Sequence, residues 1–215
     1  MEELFEEIEK GIIVEVEDVK EAISVDKVAH AVMIRGFDLE VIEETIDAVS
    51  IPVIASCRIG HFIEAKILEK LGVAMIDESN YSEMNHMPKK DYSIPFMCKV
   101  ENFEEAIRRR EEGAKAVRTE FGKIDEISGI VKELLEKNIG IKVVASLEIA
   151  TPADVALLFQ LGCNSIIVSS LLFRSPNPPK LLDSIVKAAR YYNDIERIFE
   201  YSRAINKILP VMQAK

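Results

Sequence analysis

Short runs rich in β-branched residues alternate with amphipathic stretches along almost the whole chain, and this alternation constrains the fold more than any other feature. A brief apolar run followed by a stretch with three-to-four apolar spacing is the pattern of a strand covered by a helix, and its repetition builds a parallel sheet with helices outside. Eight strands are expected, at Gly11–Val16, Ala29–Ile34, Pro52–Ser56, Ala74–Ile76, Pro95–Val100, Ala116–Thr119, Lys142–Ser146 and Ser165–Ser169. Each is rich in Val, Ile or Ala, as strands buried on both faces are. Eight such units close into a compact (β/α)8 TIM barrel of the α/β class. The length of 215 residues suits one barrel, so a single domain over residues 1–215 is expected.

Helical stripes fall between the strands, at Ile42, Ile46 and Val49, at Ile63, Ile67, Leu68 and Leu71, and at Ile127, Ile130, Val131, Leu134 and Leu135. Thr151-Pro152-Ala153-Asp154 supplies an N-cap, a first-turn proline and an acid three residues after the cap, so a helix should start there. Ile195, Ile198, Phe199 and Ile205 predict an extra C-terminal helix, and the first ten residues predict a short helix that either closes the barrel bottom or projects from it. The polar, Met-rich stretch from Asp77 to Tyr92 has no strong period and is read as a loop with a short helix as an alternative.

Charge and cysteine content exclude several functions. Lys+Arg 27 against Asp+Glu 37 leaves a net charge of −10, and no basic cluster offsets it, so neither nucleic acid nor an anionic membrane is an expected partner. Cys57, Cys98 and Cys163 are odd in number and lack C-x-x-C spacing, which fits reduced thiols rather than a disulfide framework or zinc site. The acidic start Met1-Glu2-Glu3 does not resemble a secretory signal, and a cytoplasmic location is expected.

Several stretches resemble the PdxS/Snz family, the synthase subunit of pyridoxal 5′-phosphate synthase. They are Gly11-Ile12-Ile13-Val14-Glu15-Val16, Ala48–Val53 followed by Arg58-Ile59-Gly60-His61, Ile76-Asp77-Glu78-Ser79, Val117-Arg118-Thr119, Ala150-Thr151-Pro152-Ala153-Asp154 and Phe173–Pro178. They occur in the family's order across most of the chain. The resemblance implies a barrel that assembles into rings. In active members it implies synthesis of pyridoxal 5′-phosphate from a pentose 5-phosphate, a triose phosphate and ammonia from a glutaminase subunit. Two lysines would form imines with the sugar in turn, because an amine makes a carbonyl carbon acidic and then releases it.

Both lysine positions are altered here. The position that the resemblance assigns to the first is Ser56, and that of the second is Glu120. Serine forms no imine, and a carboxylate reverses the charge of an amine. The phosphate sites are degenerate by the same comparison: Leu147-Glu148 stands for paired glycines, Ser169-Ser170-Leu171 follows strand eight, and Phe121-Gly122-Lys123 replaces a glycine-rich loop. Side chains at these places obstruct the close backbone approach of a phosphate nest. Asp77 matches the family's acid on strand four, Glu15 replaces an aspartate on strand one, and Arg58 and Arg118 match arginines. The expected role of the two arginines is to pair with these acids inside the mouth.

Glu15, Asp77, Glu120 and Glu148 all fall at C-terminal strand ends, the catalytic face of such barrels. If they converge, pairs about 8 Å apart repel by roughly 2 kcal/mol at an effective dielectric near 20, which opposes a phosphosugar. Such a cluster could alternatively hold Mg²⁺ or Ca²⁺, but arginine pairing is the simpler account, and neither metal nor cofactor is expected. Lys99 is the one amine placed to act as a relocated nucleophile, whereas Lys115 and Lys142 start their strands at the opposite end.

The favoured reading is therefore a catalytically inactive PdxS-like protein that serves as an assembly or regulatory homologue, as a homo-oligomer or in mixed rings with an active paralogue. Two alternatives stand beside it: an active synthase subunit with relocated residues, and a barrel repurposed for another small ligand. The chain also lacks, relative to the family, the excursions after strand two and between strands six and seven, which puts substrate closure and the usual ring contacts in doubt; the glutaminase subunit is a doubtful partner.

Overall fold

The computed structural model of the chain describes residues 2–206 and 208; residue 1, residue 207 and residues 209–215 of the expected domain lie outside them. Eight parallel strands form a closed barrel in chain order: β1 (Gly11–Glu15), β2 (Ala31–Ile34), β3 (Val53–Arg58), β4 (Met75–Asn80), β5 (Phe96–Lys99), β6 (Ala116–Arg118), β7 (Lys142–Leu147) and β8 (Ser165–Val168), with β8 pairing back onto β1. Helix α1 (Glu2–Glu7) precedes β1. The strands then alternate with α2 (Val19–Val25), α3 (Leu39–Ala48), α4 (Phe62–Leu71), α5 (Phe103–Glu112), α6 (Ile124–Glu136) and α7 (Pro152–Leu161). A 3₁₀ turn (Ser170–Arg174), α8 (Pro178–Arg190) and the additional C-terminal helix α9 (Ile195–Ile205) follow β8.

Seven strands match the expected positions to within two residues, and the fourth does not. Instead of ending at Ile76, β4 runs through Asp77, Glu78, Ser79 and Asn80, and Tyr81–Tyr92 forms no helix. The polar residues stay in the strand because their side chains find partners: Arg118 and Ser56 for Asp77, Lys89 for Glu78, and the Arg35 carbonyl for the Asn80 amide. Buried polar groups are tolerated where such bonds are made.

Pleating sends alternate side chains into the barrel and out against the helices. Ile13, Ala31, Met33, Ile54, Met75, Met97, Ala116, Val144 and Ile167 fill the interior. Ile8 joins them, with Leu4 and Phe5 of α1 packed alongside. The hydroxyl of Ser165, the first residue of β8, donates to the Ile8 carbonyl at 2.7 Å, so this segment closes the N-terminal end as expected. The outward set, including Val14, Val32, Ala55, Cys57 and Ile166, packs beneath the helices in the main core. At α7 the Thr151 hydroxyl accepts from the Asp154 N–H at 3.2 Å, and the Asp154 carboxylate accepts from the Thr151 N–H at 3.0 Å. A cap of this kind stabilises a helix by about 1 kcal/mol. Among the described residues, no helix is long and apolar enough to cross a membrane.

Candidate functional site

Above the apolar interior, the next inward positions at the C-terminal strand ends form a polar layer: Glu15, Ser56, Asp77, Lys99, Arg118 and Ser146. Strand register sets Ser56 beside Asp77 and Lys99 beside Arg118.

Asp77 is fully buried at the centre of this layer. Arg118 donates to it twice, Nε to Oδ1 and Nη2 to Oδ2, each at 3.0 Å. The hydroxyls of Ser56 and Ser79 donate to Oδ2 at 3.0 and 2.5 Å. Arg118 itself is 2% exposed; burial acts to lower its pKa, but the adjacent Asp77 carboxylate outweighs it and raises it. Each of these bonds comes from a side chain of the barrel itself, so the Asp77 oxygens serve as structural acceptors.

The other acids are also matched by cations. Glu15 accepts from Arg35 at 3.1 Å through Oε1 and from the Ser170 backbone N–H at 3.0 Å through Oε2. Glu120 stands at the rim and accepts from Lys99 at 2.6 Å. Burial works to raise the Glu120 carboxyl, but the Lys99 hydrogen bond and charge, with the Phe121 N–H, hold it below its ordinary value. Three of the four carboxylates at the strand ends therefore carry a cation each, and the mouth is a set of ion pairs rather than an unrelieved acidic cluster. Glu148, the fourth, contributes its backbone: its N–H donates to the Gly122 carbonyl at 3.1 Å, and its carbonyl accepts from the Ser169 hydroxyl at 2.7 Å.

Arg58 is a correction to the expected pairing. It does not enter the mouth, but pairs with Glu64 of α4 at 2.6 Å and remains 54% exposed. The pairing register shifts between Cys57 and Arg58, and such an irregularity breaks the in–out alternation that would otherwise turn Arg58 inward. Ser170 donates its hydroxyl to Glu17 at 2.9 Å, while the Ser169 hydroxyl also accepts from the Leu171 N–H at 3.2 Å. The N–H groups of Glu148, Ser170 and Leu171, which follow β7 and β8, are thus all used within the chain.

Behind the mouth lies a cluster that sequence reasoning did not single out. Glu78 points outward from β4, fully buried, and accepts from the N–H groups of Gly60 and Met87 at 2.9 and 3.1 Å. Lys89 lies 2.7 Å from its Oε2, and His86 Nδ1 lies 2.8 Å away. Lys89 also bridges to Glu112, which pairs with Arg109 at 2.6 Å. The one available signal was the alternation itself, which makes Glu78 face away from Asp77. Glu78, His86 and Cys98 bring one ligand atom each within 4.8 Å of one another, the geometry of a metal-binding trio. The Lys89 ammonium already supplies the positive charge, and burial pushes the Cys98 thiol far up, so the cluster is accounted for as an ion-pair network. Beside it a groove of about 660 Å³ opens between the β4–β5 loop and α5, lined by His86, Lys99, Glu105, Arg108, Arg109 and Glu112. The buried Arg109 Nε in its wall makes no hydrogen bond.

The profile of the SOR/SNZ family matches residues 8–155. The pyridoxal 5′-phosphate synthase subunit PdxS of Bacillus cytotoxicus is 37% identical, over 80% of this chain and 72% of its own length. The PdxS of Bacillus cereus is 36% identical over 81% and 73%. Among solved structures, the thiamine phosphate pyrophosphorylase of Pyrococcus furiosus superposes with a TM-score of 0.68 at 13% identity, covering 84% of this chain and 95% of that one. The N-acetylmannosamine-6-phosphate 2-epimerase of Clostridium perfringens gives 0.63 at 18% identity, covering 77% and 88%. At those identities the structural likeness establishes the barrel alone, whereas the profile and the sequence identity establish descent: the chain belongs to the SOR/SNZ family.

Proposed function

We propose that this chain is a catalytically silent relative of the pyridoxal 5′-phosphate synthase subunit, connected with vitamin B6 biosynthesis as an assembly or regulatory partner in the cytoplasm. One observation carries the reading: the two positions that resemble the family's lysines hold Ser56, whose hydroxyl is bonded to Asp77, and Glu120, which is bonded to Lys99. Neither can form an imine with a sugar carbonyl. The partner proposed is a second copy of the chain or a lysine-bearing paralogue in a mixed ring; glutaminase docking is not part of the proposal.

Reduction with borohydride in the presence of ribulose 5-phosphate, followed by peptide mass mapping, tests the chemistry. No adduct is expected on any lysine. Co-expression with a lysine-bearing paralogue and mass photometry tests the partnership, with mixed rings expected and strictly separate species counting against it.

Two observations favour other readings. Lys99 is the amine of the polar layer, beside Arg118, so a borohydride adduct there would establish an active subunit with a relocated lysine. Against this, the Lys99 amine is engaged by the Glu120 carboxylate at 2.6 Å and is not free to approach a carbonyl carbon. The groove beside α5, lined by acidic and basic side chains alike, would suit a small polar ligand in a repurposed barrel.

A further inference from the structure

We propose that the segment after β6 is a stopper: Phe121 closes the barrel mouth, and the Lys99–Glu120 pair pins it in place. Although Phe121 lies beyond the end of β6, its ring packs on the apolar cluster that fills the barrel interior. The guanidinium carbons of Arg35 and Arg118 lie 5.2 and 5.6 Å from the ring centroid, within the range of cation–π attraction. These are the same guanidiniums that hold Glu15 and Asp77. The ring and two ion pairs therefore form one continuous layer over the interior.

The segment is fixed on both sides of Phe121. Before it, Glu120 accepts from Lys99 through Oε2 and from the Phe121 N–H through Oε1. After it, Gly122 bridges to the end of β7, donating to the Ser146 carbonyl at 3.2 Å and accepting from the Glu148 N–H at 3.1 Å. A Cβ at Gly122 would lie 2.9 Å from Ile127 Cγ2 and 3.0 Å from Glu126 Oε2, so the close approach requires glycine. At the level of the ion pairs, at the end of β7, Ser146 is fully buried and its hydroxyl has no hydrogen-bond partner. Arg118 is likewise sealed, while Arg35 at the edge is half exposed. Closure of the mouth concerns access rather than imine formation, so the proposal goes beyond the non-catalytic reading even though the pin uses Glu120, one of the two altered positions.

Cysteine accessibility tests it on the full chain. Ser146→Cys places a nearly isosteric thiol at this buried position, and the three native cysteines are buried. The thiol introduced at position 146 is expected to react with a charged methanethiosulfonate no faster than the native ones. Adding Phe121→Ala should accelerate its reaction at least tenfold, and adding Lys99→Met instead should accelerate it to a smaller degree. Circular dichroism establishes that each variant is folded; should Phe121→Ala unfold, Phe121→Leu and Lys99→Met carry the same comparison. A position-146 thiol that reacts like an exposed one with Phe121 in place overturns the proposal, as does one that stays equally slow in a folded chain without Phe121 or its pin. No sugar phosphate or amine is involved, so failure here leaves the borohydride result standing.

Discussion

The guanidinium of Arg118 meets the carboxylate of Asp77 through two parallel hydrogen bonds, Nε to Oδ1 and Nη2 to Oδ2, with both side chains almost completely removed from solvent. Bidentate geometry is the strongest form of such a pair, and the Ser56 and Ser79 hydroxyls satisfy the carboxylate further. In an active barrel this face does chemistry. Here the same residue types make a closed polar network that holds together β3, β4 and β6.

Removing one member of that network should be far worse than removing both. Arg118→Met leaves Asp77 charged, buried and short of its cation, and is expected to lower stability by about 3–5 kcal/mol. Combining it with Asp77→Asn should recover a large part of the loss, because no uncompensated charge remains. Urea denaturation of the two single variants and the double variant measures the coupling; strictly additive losses would show that the residues act separately.

Glu78 gives the fold an acid-labile point. Burial acts to raise its carboxyl, but the His86 hydrogen bond and the Lys89 charge overcome this and bring it to about 2, against 4.5 ordinarily. Because the group is more acidic folded than unfolded, its contribution is complete above about pH 4.5 and is lost as pH falls towards about 2. That difference corresponds to about 3 kcal/mol. Glu78→Gln should therefore be less stable at pH 7 and show a flatter dependence of stability on pH within that window, read from denaturation midpoints.

The barrel was legible in the sequence because strands covered on both faces must be apolar at every position, and short β-branched runs such as Ser165–Val168 show this directly. The extension of β4 was not, since Asp77 and Glu78 are polar and their partners Arg118, Ser56 and Lys89 lie on other elements or in the following loop. Alternation along β3 turns Ser56 inward to Asp77 and Cys57 outward into the helix-facing core. The same rule failed one residue later, where an irregularity carries Arg58 out to Glu64. Phe121 left no periodic trace either: a single aromatic in a loop becomes informative only when Arg35 and Arg118 are seen beside it.

The cysteines should be inert in the native state. Burial pushes up the thiols of Cys57, Cys98 and Cys163, and the nearby Glu78 and Asp77 charges raise the first two further. A thiol is nucleophilic only as its thiolate, so none should titrate with a disulfide reagent at pH 8 without denaturant, and all three should do so in guanidinium chloride. Rapid reaction of Cys57 in the folded protein would show that α4 opens readily from the barrel.

Replacing Ser56 with lysine tests whether the first lost amine could simply be restored. Ser56 is fully buried, and its hydroxyl fits between β3 and the Asp77 carboxylate at 3.0 Å. A lysine there must insert three further methylenes into a filled layer and bring an ammonium into competition with Arg118 for one carboxylate. Overpacking of this kind costs about 1–3 kcal/mol, and a second buried cation adds to it. Ser56→Lys is therefore expected to lose about 3 kcal/mol or more by urea denaturation. Glu120→Lys, at a position 55% exposed, should stay within about 1 kcal/mol of the parent because it disturbs only a rim ion pair. An unchanged midpoint for Ser56→Lys would mean that the mouth retains room for the amine, and would count against a barrel whose interior has been refitted for a role other than catalysis.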